Sequence, residues 1–476
     1  MSMSCVLYAA KEGGGGGIDI SQQGLDLPLN GNFTATIDSS SFTANTAYQG
    51  GAVRTDSQLS TMTILHSAFT NNSANADTDG TTYASMGAGA AVYMVGTALS
   101  HTQSSVMRVL NSSFMGNNAT SDTSTGAALS LSTVEADIRS STFVKNNAGR
   151  SAGAIAMLAS CNKNQAEDSN ENAVSNLELR PLACSVNISL CQFTSNTAGQ
   201  AAAVHLQLNG YIVTVINSTF VNNEAWTTDG AAALYVTVNS IGGVSSMALL
   251  SGVLVQGNIV LPQTATDLLS SPAYGTVWLD ALLCAAVFHS TFASNQGVFG
   301  ALYVDGLTGD PLTCWYQARN MTPIVEFNLQ HPLFDPLAPS QVVSGNPFEA
   351  TSLDIRFSLF EDTIGSGVYL TNNGQTQIIS SSVFISNTAA SSGGGVYIDS
   401  SDTICVSDSI FSSQYAPLSG GAVYIINGAL RLQGSRINGC SALASGGGVY
   451  AEDSFVVING YLHYMLCMTS CLGKIH

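Results

Sequence analysis

Three successive stretches decide the fold. Phe384-Ile385-Ser386-Asn387 precedes Gly393-Gly394-Gly395-Val396-Tyr397, and Phe411-Ser412-Ser413-Gln414 precedes Gly420-Gly421-Ala422-Val423-Tyr424. Ile437-Asn438-Gly439-Cys440 then precedes Gly446-Gly447-Gly448-Val449-Tyr450. The anchors lie 27 and 26 residues apart, and each Tyr follows its anchor by 13. A fixed period of this size marks a solenoid, in which each unit buries its apolar face only against its neighbours.

The same phrase recurs outward toward the N-terminus. Its anchors read Phe42-x-x-Asn45, Phe69-x-x-Asn72, Phe114-x-x-Asn117, Phe143-x-x-Asn146, Phe193-x-x-Asn196, Phe220-x-x-Asn223 and Phe292-x-x-Asn295. At Phe360 the fourth position is Thr363. The second phrases include Gly50-Gly51-Ala52-Val53, Gly89-Ala90-Ala91-Val92-Tyr93, Gly300-Ala301-Leu302-Tyr303 and Gly367-Val368-Tyr369. Each unit therefore has the parts of one β-coil. A short strand ends on an inward Phe, and the Asn amide at the turn is placed to bond backbone or the equivalent Asn one coil away. Gly and Ala permit tight turning, and Val-Tyr opens the next strand with one residue inside and one outside. β-branched residues, glycine runs and the lack of long 3.6-residue periodicity argue against helices. The expectation is an all-β chain, a single right-handed parallel β-helix of about 11 coils, roughly 50 Å long.

The periodic part runs over residues 32–459, after a Gly-rich leading segment at 1–31 and before a tail at 460–476. Three stretches break the period, at 160–185, 239–283 and 305–353. Insertions in a solenoid project from its turns, and loops on a regular scaffold are the usual place for recognition. The third holds Trp315, Tyr316, Arg319 and His331, the candidate binding residues.

Composition narrows the function classes. Charged residues are 9% and apolar residues 45%, so the chain can bury a core and does not read as disordered. A formal charge of −18 repels a phosphate backbone, which argues against nucleic-acid partners. The ten Cys form no CxxC pair and no zinc spacing. Cys161 and Cys184 bracket the polar segment 162–180; they either staple it in an oxidising compartment or stand as separate buried thiols. Seven Asn-x-Ser/Thr sequons occur, at Asn32, Asn71, Asn111, Asn118, Asn187, Asn217 and Asn320. Residues 1–10 carry no basic leader region, and no uninterrupted apolar run is long enough to span a membrane.

The pairing of Phe-x-x-Asn with Gly-Gly-Ala-Val/Ile resembles the repeats of polymorphic outer membrane proteins, bacterial surface autotransporters and adhesins. It is also similar to the broader pectin-lyase-like, right-handed parallel β-helix repeats of surface proteins. The resemblance covers about residues 33–459 and implies an exported passenger-type β-helix that displays loops to protein or glycan partners. The C-terminal β-barrel of the autotransporters has no counterpart here, because nothing after Asn459 supplies alternating strands of about ten residues.

That fold also hosts polysaccharide lyases and hydrolases, with several Asp on one coil face. This sequence has no Asp-Asp, His-Gly, Asn-Thr-Asp or Arg-x-Lys motif. Its acidic pairs Glu167-Asp168, Glu361-Asp362 and Glu452-Asp453 have adjacent members, which point to opposite faces of a strand. Three or more carboxylates on neighbouring coils would mark an enzyme; a polar face without them would mark a scaffold. Gly14-Gly15-x-Gly17-x-Asp19 partly matches a calcium nonapeptide, and Asp79-Gly80, Asp229-Gly230 and Asp305-Gly306 read as turns before they read as calcium ligands. Trp226 and Trp278 are read as packing residues. The sequence therefore points to a non-enzymatic, extracellular or cell-surface scaffold without a cofactor, the alternative being a carbohydrate-active enzyme with a divergent site.

Overall fold

A computed structural model describes residues 17–20, 33–47, 49–55, 59–75, 89–96, 105–119, 124–132, 134–161, 184–226, 230–238, 246–261, 275–307, 352–373, 376–399 and 403–459. These residues form a right-handed parallel β-helix in which strands pair in chain order. The coil 396–416 shows the unit. Sheet 1 takes Val396–Asp399, sheet 2 Thr403–Ser407 and sheet 3 Ile410–Ser412, and a two-residue strand Tyr415–Ala416 follows. Sheet 2 has thirteen strands and sheet 3 twelve.

Alternation sets what is inside. In sheet 3 the central residue of each three-residue strand points inward, and Phe42, Phe69, Phe114, Phe143, Phe193 and Phe220 stack at 4.7–4.9 Å between ring centroids. Phe292, Phe360, Phe384 and Phe411 form a second run at 4.6–4.9 Å. Val255 sits between the two runs in register, paired with Phe220 and Phe292. Residues 239–283, read from the sequence as one insertion, thus contain a coil of their own with strands Met247–Ser251, Leu254–Gln256 and Ile259–Val260. The reading failed there because Val255 replaces the diagnostic Phe. The leading segment also needs correction: Ile18–Ile20 already pairs with Val53–Thr55, Asp19 opposite Arg54, so the solenoid begins before residue 32.

The Asn ladder forms as the spacing predicted. The Oδ1 of Asn146 accepts both the backbone N–H of Asn117 at 3.1 Å and its side-chain amide at 2.8 Å. The Asn146 amide nitrogen donates to Phe114 O at 3.0 Å and to Asn196 Oδ1 at 3.0 Å. Every donor and acceptor of a fully buried amide is thereby used, which removes the cost of burying it. The series runs unbroken from Asn45 through Asn258 to Asn295. A serine ladder one turn earlier was not read from the sequence. The N–H of Ser67 donates to Ser112 Oγ at 3.2 Å, while Ser67 Oγ donates to Leu65 O. Glycine matters where backbones close up: a Cβ on Gly395 would lie 2.7 Å from the Phe411 ring, and Gly420 has φ +66°.

The corners of the coil differ in kind. Between sheets 2 and 3, and between sheet 3 and the short strand, the turn is two residues long in each described coil. Its first residue is left-handed, as at Asn111 (φ 49°) and Asn71 (φ 53°). Its second is in most coils the ladder Ser or Asn, replaced by Cys191, Val253, Thr363, Gln414 and Cys440 in the others. The chain varies in length only on either side of sheet 1, before it (76–88, 262–274) and after it (97–104, 162–183, 308–351). Two tight edges flank sheet 3 and two variable edges flank sheet 1.

Candidate functional site

The outward face of sheet 1, between the two variable edges, is the candidate site. From Val204 onward most of its strands follow the pattern apolar-aromatic-apolar-polar, as in Val277-Trp278-Leu279-Asp280 and Val396-Tyr397-Ile398-Asp399. The apolar residues point into the core, and the other two point out. Stacking in register makes two outward columns. The first is His205, Tyr235, Trp278, Tyr303, Tyr369, Tyr397, Tyr424 and Tyr450. The second is Thr237, Asp280, Asp305, Thr371, Asp399, Ile426 and Glu452. Over these coils neither column carries a Lys or Arg; toward the N-terminus the first continues through Ala156, Ser130 and Tyr93 to Arg54 and Asp19.

Ring geometry decides what the aromatic column offers. His205 and Tyr235 stack at 4.7 Å, Tyr235 and Trp278 at 4.1 Å, and Tyr369 and Tyr397 at 4.1 Å. The row continues from Tyr397 to Tyr424 at 5.0 Å and to Tyr450 at 5.5 Å. The stack breaks at Trp278–Tyr303, an edge contact at 69°, and its first half, His205 to Tyr303, is buried beside Ala201, Ala231 and Phe299. From Tyr369 to Tyr450 the half-buried rings cover one another's faces and offer edges and phenol hydroxyls. Burial and neighbouring acidic groups push the Tyr369 and Tyr424 phenols up, and they remain hydrogen-bond donors at neutral pH. Tyr424 donates to Glu452 Oε2 at 3.1 Å.

The carboxylates are held from opposite sides. Asp280 accepts the Thr237 hydroxyl at 2.9 Å from the preceding coil. Asp305, its register partner one coil on, accepts Thr371 Oγ1 and Asn372 Nδ2, each at 3.0 Å, from the following coil. Burial raises the Asp280 pKa above the ordinary carboxylate range, the Thr237 bond opposes this, and the Asp305 charge adds to it. The next coil carries Thr371 in the same column, so adjacent coils bring together two carboxylates here, not three.

Other polar groups are structural. Ser151 Oγ and His205 Nδ1 lie 2.9 Å apart, but both are buried and burial holds the imidazole down to about 4, too weak a base to activate a serine at neutral pH. On the outward face of sheet 2, Met247, Leu249, Cys284, Ala286 and Phe288 form a buried apolar cluster, and Asp354 beside them pairs with Arg356 at 2.7 Å. Trp226 donates to Glu224, and Trp278 lies inside the aromatic column, so both pack as expected. Among the described residues no group of three or more His, Cys, Asp or Glu is arranged to hold a metal ion. No helix among them is long and apolar enough to cross a membrane.

Cys161 and Cys184 form a disulfide at the root of the 162–183 insertion. Cys284 is also disulfide-bonded. Cys191, by contrast, is a buried thiol pushed up to about 11 by burial; it occupies the serine-ladder position between Ser141 and Ser218. The sequence-derived candidates Trp315, Tyr316, Arg319 and His331 lie outside the described residues, as do Asp79 and Asp229. The two outward columns were missed, although aligning the first and third residues after each Val or Leu of the Val-Tyr phrase reveals them. Neither protein-family models nor curated proteins gave a match to this sequence.

Proposed function

We propose that the chain is a non-enzymatic extracellular or cell-surface scaffold that recognises protein or glycan through the insertions bordering sheet 1. One observation carries this reading. All variation in chain length falls on the two edges of sheet 1, while the edges of sheet 3 keep two-residue turns throughout. Length variation confined to one side of a rigid rod is what a recognition side built on a constant scaffold requires. The Cys161–Cys184 staple supports an oxidising compartment. The repeat's resemblance to polymorphic outer membrane protein and pectin-lyase-like surface proteins supports display outside the cell, by analogy of fold. Replacing residues 308–351 with a short Gly-Ser linker should abolish binding to glycan arrays and cell surfaces while the β-rich circular dichroism persists. Binding that survives intact would overturn the reading.

The Asp280–Asp305 pair favours a second reading, a carbohydrate-active enzyme. Two carboxyl groups on adjacent coils, one of them raised, are the minimum that glycoside hydrolysis needs. New reducing ends released from a polysaccharide panel, and lost in Asp280→Asn, would replace the scaffold reading with this one.

A further inference from the structure

The structure sorts the sequons by geometry. Asn111 and Asn217 are exposed, left-handed residues (φ 49° and 47°) at the turn from sheet 2 to sheet 3. Asn71 is the exposed, left-handed residue (φ 53°) at the turn leaving sheet 3. Their backbone N–H groups are tied to the next coil, at Arg139 O, Ser251 O and Met115 O, so the corner is fixed while the side chain faces water. In each case the following residue is a buried ladder Ser or Asn, and the third is an outward Ser or Thr opening the next strand: Ser113, Thr219 and Ser73. Asn187 is different. It lies within strand Cys184–Ser189, half-buried, and its amide donates to Asp137 Oδ1 at 3.0 Å while its oxygen accepts Thr214 Oγ1 at 3.0 Å. Asn118 is likewise a half-buried strand residue, its oxygen accepting from Asn147 at 3.0 Å.

We infer that Asn71, Asn111 and Asn217 are N-linked glycosylation sites, and that Asn118 and Asn187 are not. The inference rests on the exported reading above and deepens it. The donor is an oligosaccharide carried on a lipid diphosphate. A bond forms between asparagine Nδ2 and sugar C1, the C1–oxygen bond to the diphosphate breaks, and the amide proton leaves with the lipid diphosphate. The three glycans stand on the tight edges flanking sheet 3, which carry no insertion. Asn111 and Asn217 share one edge three coils apart, about 14 Å along the rod. Glycans placed this way cover the rod's constant edges; the remaining two sequons, Asn32 and Asn320, lie outside the described residues.

The test is site mapping on the full chain, secreted from a eukaryotic host behind a cleavable leader. Enzymatic removal of N-glycans in heavy-oxygen water marks each occupied Asn by mass. The expected result is modification at Asn71, Asn111 and Asn217, none at Asn118 and Asn187, and a triple Asn→Gln variant that loses all three marks yet keeps its circular dichroism. Secreted, disulfide-bonded protein bare at those three positions, or modified at Asn187, overturns the inference. Because the leader supplies export, such a failure leaves the exported reading to its own test, the redox state of Cys161 and Cys184 in the protein's own cells.

Discussion

At the scale of single residues, two buried titratable groups pull stability in opposite directions with pH. Burial depresses the His205 pKa from 6.5 to about 4, so between those values the unfolded chain binds the proton and the folded chain does not. Its contribution is full above about pH 6.5 and is lost as pH falls toward 4. Asp354 runs the other way. Burial raises its carboxyl to about 6 against the pull of Arg356, so the folded state holds the extra proton and its contribution declines as pH rises from about 4 through 6. His205→Tyr continues the aromatic column, whose next members are Tyr235 and Trp278, and removes the first effect. The variant's stability should fall less between pH 7 and 4.5 than the wild type's, by roughly 2–3 kcal/mol in denaturant titrations. An identical pH profile would show that the ring is not buried neutral.

At the scale of the repeated element, the ladders explain both what was legible and what was not. Phe-x-x-Asn was readable because an inward ring and a fully bonded amide recur at a fixed place in the coil. Where one member changed, the reading stopped: Val255 hid a coil whose Asn258 bonds normally to Asn223 and Asn295. The acidic column was invisible because its register spans insertions of very different length, and only strand pairing shows that Asp280 and Asp305 are neighbours. The proposed contact residues at 315–331 have no repeat to place them, since insertions do not obey the period. Thr363 is the one position between Asn295 and Asn387 that offers no amide to the ladder, and its N–H still donates to Asn387 Oδ1 at 3.1 Å. Thr363→Asn would give Asn295 an acceptor and Phe292 O a donor in a site already shaped for the side chain. It should stabilise the rod by about 1 kcal/mol, read as a shift of the urea midpoint. Destabilisation would mean that this coil's corner differs from its neighbours.

At the scale of the whole molecule, a solenoid's length is a count of coils rather than a property of one packed core. Removing residues 384–410 joins Val383 to Phe411, which are the same two strand positions as Val383 and Phe384. The Phe column, the Asn ladder with Gln414 and the Tyr column all close up in register. The shortened chain should fold, with a scattering profile about 5 Å shorter and a single unfolding transition. Removing 384–396, half a period, should abolish cooperative unfolding, because it places outward residues where the core must be. If both deletions fold equally well, the ladders are not what holds the rod in register.

The hydrogen bonds between coils all run parallel to the rod, as the 2.9 Å link from Ser386 N–H to Ser412 O does. A pull on one terminus therefore meets them in series. Each coil peels off alone, releasing some 27 residues, or about 90 Å of slack, before the next is loaded. A partner gripping an insertion midway along the rod stretches only the coils between that insertion and the point of attachment. The position of an insertion along the rod thus sets how much chain pays out under load, and the molecule becomes a tether whose give is chosen by where it is held.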